Sequence, residues 1–168
     1  QSRIFEEALR KNAIPYKIYG GLSFYQRKEI KDVIAYFRLS INQNDEEAFK
    51  RVINYPARGI GKTTLDKIIS AAANHNTSLW AVLKDPLSYG IDFSKSTYTK
   101  LSAFRDMILS FTEDAQLKDA SELGKDIVKR SGIISDIYHD SSPENMSRQE
   151  NLEELMNGLD DFCLSRKE

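Results

Sequence analysis

The segment best suited to chemistry runs from Arg58 to Thr64 and reads Arg-Gly-Ile-Gly-Lys-Thr-Thr. Gly59 and Gly61 bracket one apolar residue at the start of a predicted helix. Backbone amides at such a turn can approach a phosphate closely because no Cβ stands in the way. The helix N-terminus adds partial positive charge, Lys62 and Thr64 add donors, and Arg58 adds a nearby cation. The pattern therefore indicates a phosphate contact.

Three interpretations of this segment can be weighed from residue spacing. Gly61-Lys62-Thr63 could end a nucleotide-binding P-loop, but that motif needs a glycine where Pro56 stands and a buried strand where the pattern is helical. A helix–hairpin–helix would hold a nucleic-acid backbone without reading its sequence. An ordinary turn between helices would use glycine only for its positive φ. The spacing disfavours the P-loop and leaves the other two open.

A second segment, from Tyr19 to Asp32, interleaves aromatic and basic side chains around a glycine pair. Such a mixture suits a nucleic-acid surface. Taken alone, however, this segment is better explained by packing of Phe24 and Tyr25 and by solvated cations.

Elsewhere no metal-ligand spacing joins the two histidines and the single cysteine, so no metal site is predicted.

The composition is that of a globular protein rather than a disordered or membrane one. Of 168 residues, 40% are hydrophobic and 29% charged, with 24 basic against 25 acidic. No apolar run approaches the roughly 18 residues that a spanning helix needs. One cysteine excludes a disulfide framework and fits a reducing compartment. Residues 1–73 hold 13 basic and 8 acidic side chains, and residues 74–168 hold 11 and 17, so a polyanion would meet the first part.

Apolar spacing predicts a mainly α fold. Helical stripes recur along most of the chain, including one over about 25–41, one from Asp45, one after Gly61 and one opened by a capping box at Ser147–Glu150. Residues 15–19 alternate and predict one short strand. Because a lone strand cannot satisfy its own hydrogen bonds, we expect its partners to lie in a longer protein.

Taken together, the segments resemble the UvrD/Rep/PcrA group of superfamily 1 DNA helicases. The resemblance is strongest in residues 1–66 and 147–156. It is carried by Gln1-Ser2-Arg3, Phe5-Glu6-Glu7-Ala8-Leu9, Ile14-Pro15-Tyr16, Tyr19-Gly20-Gly21, Phe24-Tyr25 with Arg27, Glu29-Ile30-Lys31-Asp32, Asn54 with Pro56, Arg58-Gly59-Ile60-Gly61 with Thr64, and Arg148 with Glu150-Asn151-Leu152-Glu153-Glu154-Leu155.

This resemblance implies a place within a larger enzyme. Residues 1–42 would be part of the RecA-like domain 2A, residues 43–147 the helical 2B subdomain with a helix–hairpin–helix-like element, and residues 148–168 a return helix toward 2A. The parent would be a cytoplasmic, bacterial, ATP-dependent 3′-to-5′ DNA helicase of repair or replication, using ATP and Mg. The ATPase motifs are absent from this chain, so we expect no cofactor and no catalytic residue here.

The resemblance also implies site residues and partners. Gly59, Gly61 and Thr64 match the motif by which these helicases contact duplex DNA. Lys31 matches a position on the duplex side, and Arg3 a segment near the single strand. The implied partners are duplex or junction DNA, the remaining helicase domains and repair proteins, with no membrane.

Two further DNA-binding candidates, Arg58 and Lys62, rest only on their charge and their place beside the glycines. The alternative function is a protein-interaction or autoinhibitory module that regulates the helicase motor. Its surface would be the acidic part of the chain, residues 74–168.

Overall fold

The computed structural model describes residues 22–167, which form nine α-helices and one short 3-10 helix but no strand. The helices are α1 (Leu22–Tyr25), α2 (Lys28–Ile41), α3 (Glu46–Val52), α4 (Lys62–Asn74), α5 (Leu79–Lys84), α6 (Lys95–Leu117), α7 (Ala120–Arg130), α8 (Ile133–Ile137) and α9 (Pro143–Lys167), with the 3-10 helix at Pro86–Tyr89. Over this range the mainly α prediction is confirmed. The predicted strand at 15–19, which was to be the RecA-like remnant, lies outside the described residues.

Helix α2 is the centre of the fold. Ile30, Val33 and Phe37 recur at helical spacing and are almost fully buried. Around them pack α3, α6, α7 and α9, so one core joins elements from both ends of the described range. The apolar spacing in the sequence therefore predicted both the helix and the face that it buries.

Gly124 allows a close approach of α7 to α2 and α9. A Cβ placed on this glycine would lie 3.0 Å from Cζ of Phe37 and 3.2 Å from Cδ1 of Leu159. Phe37 belongs to α2 and Leu159 to α9, so both neighbouring helices press on the same point. Even an alanine here would require the Phe37 or Leu159 side chain to shift by a few tenths of an ångström, and a larger residue would require more.

The start of α9 differs from the prediction. The capping box expected at Ser147–Glu150 lies inside the helix, which begins at Pro143. Proline is well suited to the first helical position, since its missing N–H would have no intrahelical acceptor there. Ser142 precedes it as the cap, and its Oγ accepts from the N–H of Asn145 at 3.2 Å.

Asp140 supports this helix start from outside. Its Oδ1 accepts from the N–H of Ser142 at 3.0 Å and from Nδ2 of Asn145 at 2.7 Å. These hydrogen bonds favour the carboxylate and lower the pKa of Asp140 to about 2.

Among residues 22–167, no helix combines the length and apolar character needed to cross a membrane.

Candidate nucleic-acid interface

The connector between α3 and α4 ends in a sharp bend formed by Gly59, Ile60 and Gly61. Gly59 has φ +82°, a conformation that side chains with a Cβ rarely adopt. Ile60 is only 2% exposed and anchors the bend in the core. Gly61 is the N-cap of α4 with extended backbone, and no side chain caps the helix. The bend therefore presents glycine backbone to solvent on both sides of one buried anchor.

Asn54 holds the bend from within the connector. Its Oδ1 accepts two hydrogen bonds, from the N–H of Arg58 at 2.9 Å and from the N–H of Ile60 at 3.0 Å. Two amides of the bend are thus already used inside the protein. Because both donors converge on one oxygen, Asn54 fixes the shape of the bend rather than leaving these amides to a ligand.

The other amides of the bend remain available. Among residues 22–167, no acceptor is found for the N–H groups of Gly59, Gly61 and the first turn of α4, Lys62–Thr64. The first intrahelical bond comes one residue later, from the N–H of Leu65 to the carbonyl of Gly61 at 3.1 Å. Gly59, Gly61 and Lys62 are exposed and Thr64 is half-buried. Several donors therefore face solvent beside a helix N-terminus, where an anion is favoured.

Arg58 takes a different position from the one that its charge suggested. Its terminal nitrogens donate to one hydroxyl and four backbone carbonyl oxygens at 2.5–3.4 Å, those of Tyr36, Val52, Ile53, Tyr55 and Ser131. The guanidinium also lies 5.2 Å from the centre of the Phe104 ring. Its donors are therefore engaged inside the protein, and the side chain ties the connector to α2 and α7.

Lys62 lies where the sequence placed it, at the first position of α4, with 87% of its side chain exposed. Its Nζ is 2.9 Å from Oδ2 of Asp66, one turn along the same helix. This hydrogen bond raises the pKa of Lys62. The lysine is charged, but part of its field is cancelled by the neighbouring carboxylate.

The remaining candidates are not brought to the bend by any described contact. Lys31 is exposed in the first turn of α2. Its neighbour Lys28 lies closer to the connector, with Nζ 3.8 Å from the centre of the Tyr55 ring. Arg3 lies outside the described residues, so its predicted role stays a prediction.

The two helices that flank the bend have different main packing partners. Helix α3 packs chiefly against α2, whereas α4 packs against α5 and the 3-10 helix. The buried Ile60 and exposed glycines fit a hairpin between helices, and the helix–hairpin–helix assignment itself stays a prediction.

Sequence reasoning missed Lys100 of α6. A Cβ placed on Gly59 would lie 3.0 Å from both Cε and Nζ of this lysine, so the side chain rests directly on the glycine. No spacing in the sequence connects two residues so far apart. The Asn54 hydrogen bonds were also unforeseen, although an asparagine shortly before a tight glycine turn is a recognisable signal for such support.

We expect Asn54→Ala to loosen the bend and to lower stability by about 1–3 kcal/mol, since the buried N–H of Ile60 loses its acceptor. Chemical denaturation of the 168-residue chain would measure the loss. Asn54→Asp is the matched control, because its carboxylate keeps an acceptor at the same place. Equal stability of Asn54→Ala and the unmodified chain would contradict this role of Asn54.

Comparison with known proteins identifies the family to which this chain belongs. The family model of the UvrD-like helicase C-terminal domain matches residues 1–168. The chain therefore belongs to this family, as the resemblance seen in its motifs predicted.

Individual relatives agree with the family match. The chain is 40% identical over 162 residues to DNA helicase II of Rickettsia typhi, covering 96% of this chain and 24% of the relative. It is 36% identical to the ATP-dependent DNA helicase PcrA of Staphylococcus epidermidis strain RP62A, covering 96% of the chain and 22% of the relative. Identity to DNA helicase II of Escherichia coli is 33% over 168 residues, which is 100% of the chain and 23% of the relative. The chain thus spans about a quarter of the length of these curated relatives.

Proposed function

We propose that this chain is the duplex-DNA-binding accessory region, of the 2B type, of an ATP-dependent 3′-to-5′ DNA helicase. One observation carries the proposal: an exposed, glycine-bracketed bend at the start of α4 has several amides without an acceptor among the described residues. Family membership supplies the context, because relatives of this chain are named DNA helicases.

The bend suits a sugar–phosphate strand better than a base edge. Its free donors are backbone amides, which bind phosphate oxygens but carry no sequence information. Gly59 and Gly61 leave room for the strand to approach those amides. The interaction should therefore hold duplex DNA of any sequence ahead of the motor, with Gly59, Gly61, Lys62 and Thr64 as the contacting residues.

Arg58 has a positioning role in this proposal, since its guanidinium is engaged by the connector and α2. Lys31 would serve the duplex at a greater distance along α2. Residues 43–147 would form the 2B region between flanking 2A segments at 1–42 and 148–168. ATP and Mg would bind elsewhere in the helicase, in the cytoplasm, and other helicase domains and repair proteins would be partners.

The proposal predicts weak, salt-dependent binding of the 168-residue chain to duplex DNA. A few phosphate contacts should give a Kd of roughly 10⁻⁴ to 10⁻⁶ M at low salt. The affinity should then fall about 100-fold between about 50 and about 200 mM salt. Fluorescence anisotropy with duplexes of two unrelated sequences would measure both quantities. Equal affinity for the two sequences supports the proposal, and no binding to either at low salt contradicts it.

A second candidate, a protein-interaction module, is favoured by an apolar groove between α7, α8 and α9. Val128, Leu152 and Met156 line it, and Ile134 and Tyr138 at its edge are 38% and 42% exposed. Exposed apolar patches of this kind often contact other proteins. A chain that ignores DNA at low salt but binds a purified repair protein through this groove would favour this candidate.

A further inference from the structure

The cations around the bend differ in how freely they could meet a phosphate. The Arg58 guanidinium donates to oxygens within the protein, and the Lys62 ammonium is paired with Asp66 at 2.9 Å. Lys100, by contrast, is exposed and forms no ion pair with a carboxylate among residues 22–167. Of these three side chains, Lys100 therefore has the least compensated charge.

Helix α6 places this lysine firmly beside the bend. Leu101 and Phe104 of the same helix are buried, which fixes its inner face and leaves Lys100 on the outside. The Phe104 ring in turn lies 5.2 Å from the Arg58 guanidinium, so α6 is packed against the connector one turn beyond Lys100. The position of Lys100 over Gly59 follows from this packing.

The start of α6 also lies near α4. Nζ of Lys67, on α4, lies 6.0 Å from the centre of the Phe93 ring, and Phe93 packs edge-on against Tyr98 of α6. Ser94 caps α6 by accepting from the N–H of Thr97 at 3.2 Å. The capped start of α6 therefore lies beside α4, the helix that begins at the bend.

We propose that Lys100 is the principal cationic phosphate contact of the bend. This inference rests on the proposed function, and it adds a residue from α6 that lies far along the chain from the glycine motif. The lysine stem lies where a side chain on Gly59 would stand. Gly59 therefore serves two purposes, since it frees the amides and makes room for a mobile ammonium that can reach the same phosphate group.

The test compares three lysine-to-glutamine variants that remove the same charge. Lys100→Gln should lower affinity for duplex DNA roughly tenfold at low salt and reduce the salt slope by about 1, as expected for loss of one phosphate contact. Lys62→Gln should lower affinity less than Lys100→Gln does, about threefold, because its ammonium is already paired with Asp66. The control Lys129→Gln, in the last turn of α7, should change affinity less than about twofold. Lys100→Arg should restore most of the binding.

The outcomes separate this inference from the function on which it rests. If Lys100→Gln binds like Lys129→Gln while a bend variant such as Gly61→Asp binds weakly, the bend holds DNA without Lys100 and the inference is wrong. If Gly61→Asp and Lys100→Gln both bind like the unmodified chain, the proposed function is overturned and the inference falls with it. Denaturation curves of each variant confirm that the compared chains are folded.

Discussion

The variant Gly61→Asp is expected to keep the fold and to lose duplex-DNA binding by a factor of 10 or more. Gly61 is the N-cap of α4, with φ −82° and ψ 177°, and a Cβ there would meet nothing within 4 Å. Aspartate is among the best N-cap residues and should add a few tenths of a kcal/mol to stability. Its carboxylate would also occupy an amide of Thr63 or Thr64 and repel a phosphate.

In Gly61→Asp the stability and the affinity for DNA should change in opposite directions. Thermal or chemical denaturation should show equal or slightly higher stability, while anisotropy with duplex DNA shows weaker binding. Lys129→Gln is the matched control, because it changes the net charge by the same amount on another helix. Gly61→Ser separates capping from charge, since it supplies a cap without a carboxylate. Unchanged affinity of Gly61→Asp at low salt would exclude the bend as the phosphate contact.

Replacing Arg58 is expected to cause the largest loss of stability. Arg58→Met should lower the free energy of unfolding by about 2–4 kcal/mol, because the carbonyl oxygens of Val52, Ile53 and Ser131 lose a charged donor. Arg58→Lys keeps the charge but not the planar fork that reaches the Tyr36 hydroxyl and the carbonyls together. It should therefore restore only part of the stability.

Urea denaturation of both variants would test this structural role. Arg105→Met provides the control, as the one carboxylate that this arginine pairs with among residues 22–167 is the adjacent and exposed Asp106, and the pair should contribute less than about 0.5 kcal/mol. A surface phosphate contact would produce a different pattern, with normal stability and weaker DNA binding. That pattern would show that the guanidinium leaves the connector to meet the DNA.

The helical fold was largely predictable because the buried face of a helix requires apolar residues at helical spacing in the sequence. Val33 and Phe37 mark α2 in the sequence, and the structure buries both. The start of α9 was missed because two good capping patterns lie within a few residues. Pro143 and Ser142 form the earlier one, and hydrogen bonds from Ser142 and Asn145 to Asp140 stabilise it.

The site was predictable only in its local part. The glycine spacing around Ile60 is contained in a few consecutive residues, and the structure shows the bend that it predicted. The direction of the Arg58 side chain depends on the Tyr36 hydroxyl of α2, on carbonyls of the connector and on the Ser131 carbonyl at the end of α7, which no local pattern records. The approach of Lys100 to Gly59 depends on tertiary packing in the same way.

The meeting of α2, α7 and α9 at Gly124 constrains how a longer helicase could change shape. The predicted boundaries at 42/43 and 147/148 separate these three helices, yet the Phe37 and Leu159 side chains both lie against the same glycine. A hinge at either boundary would have to pull this junction apart and expose apolar side chains to water. Residues 28–41 and 148–165 should therefore move together with residues 43–147 as one rigid unit.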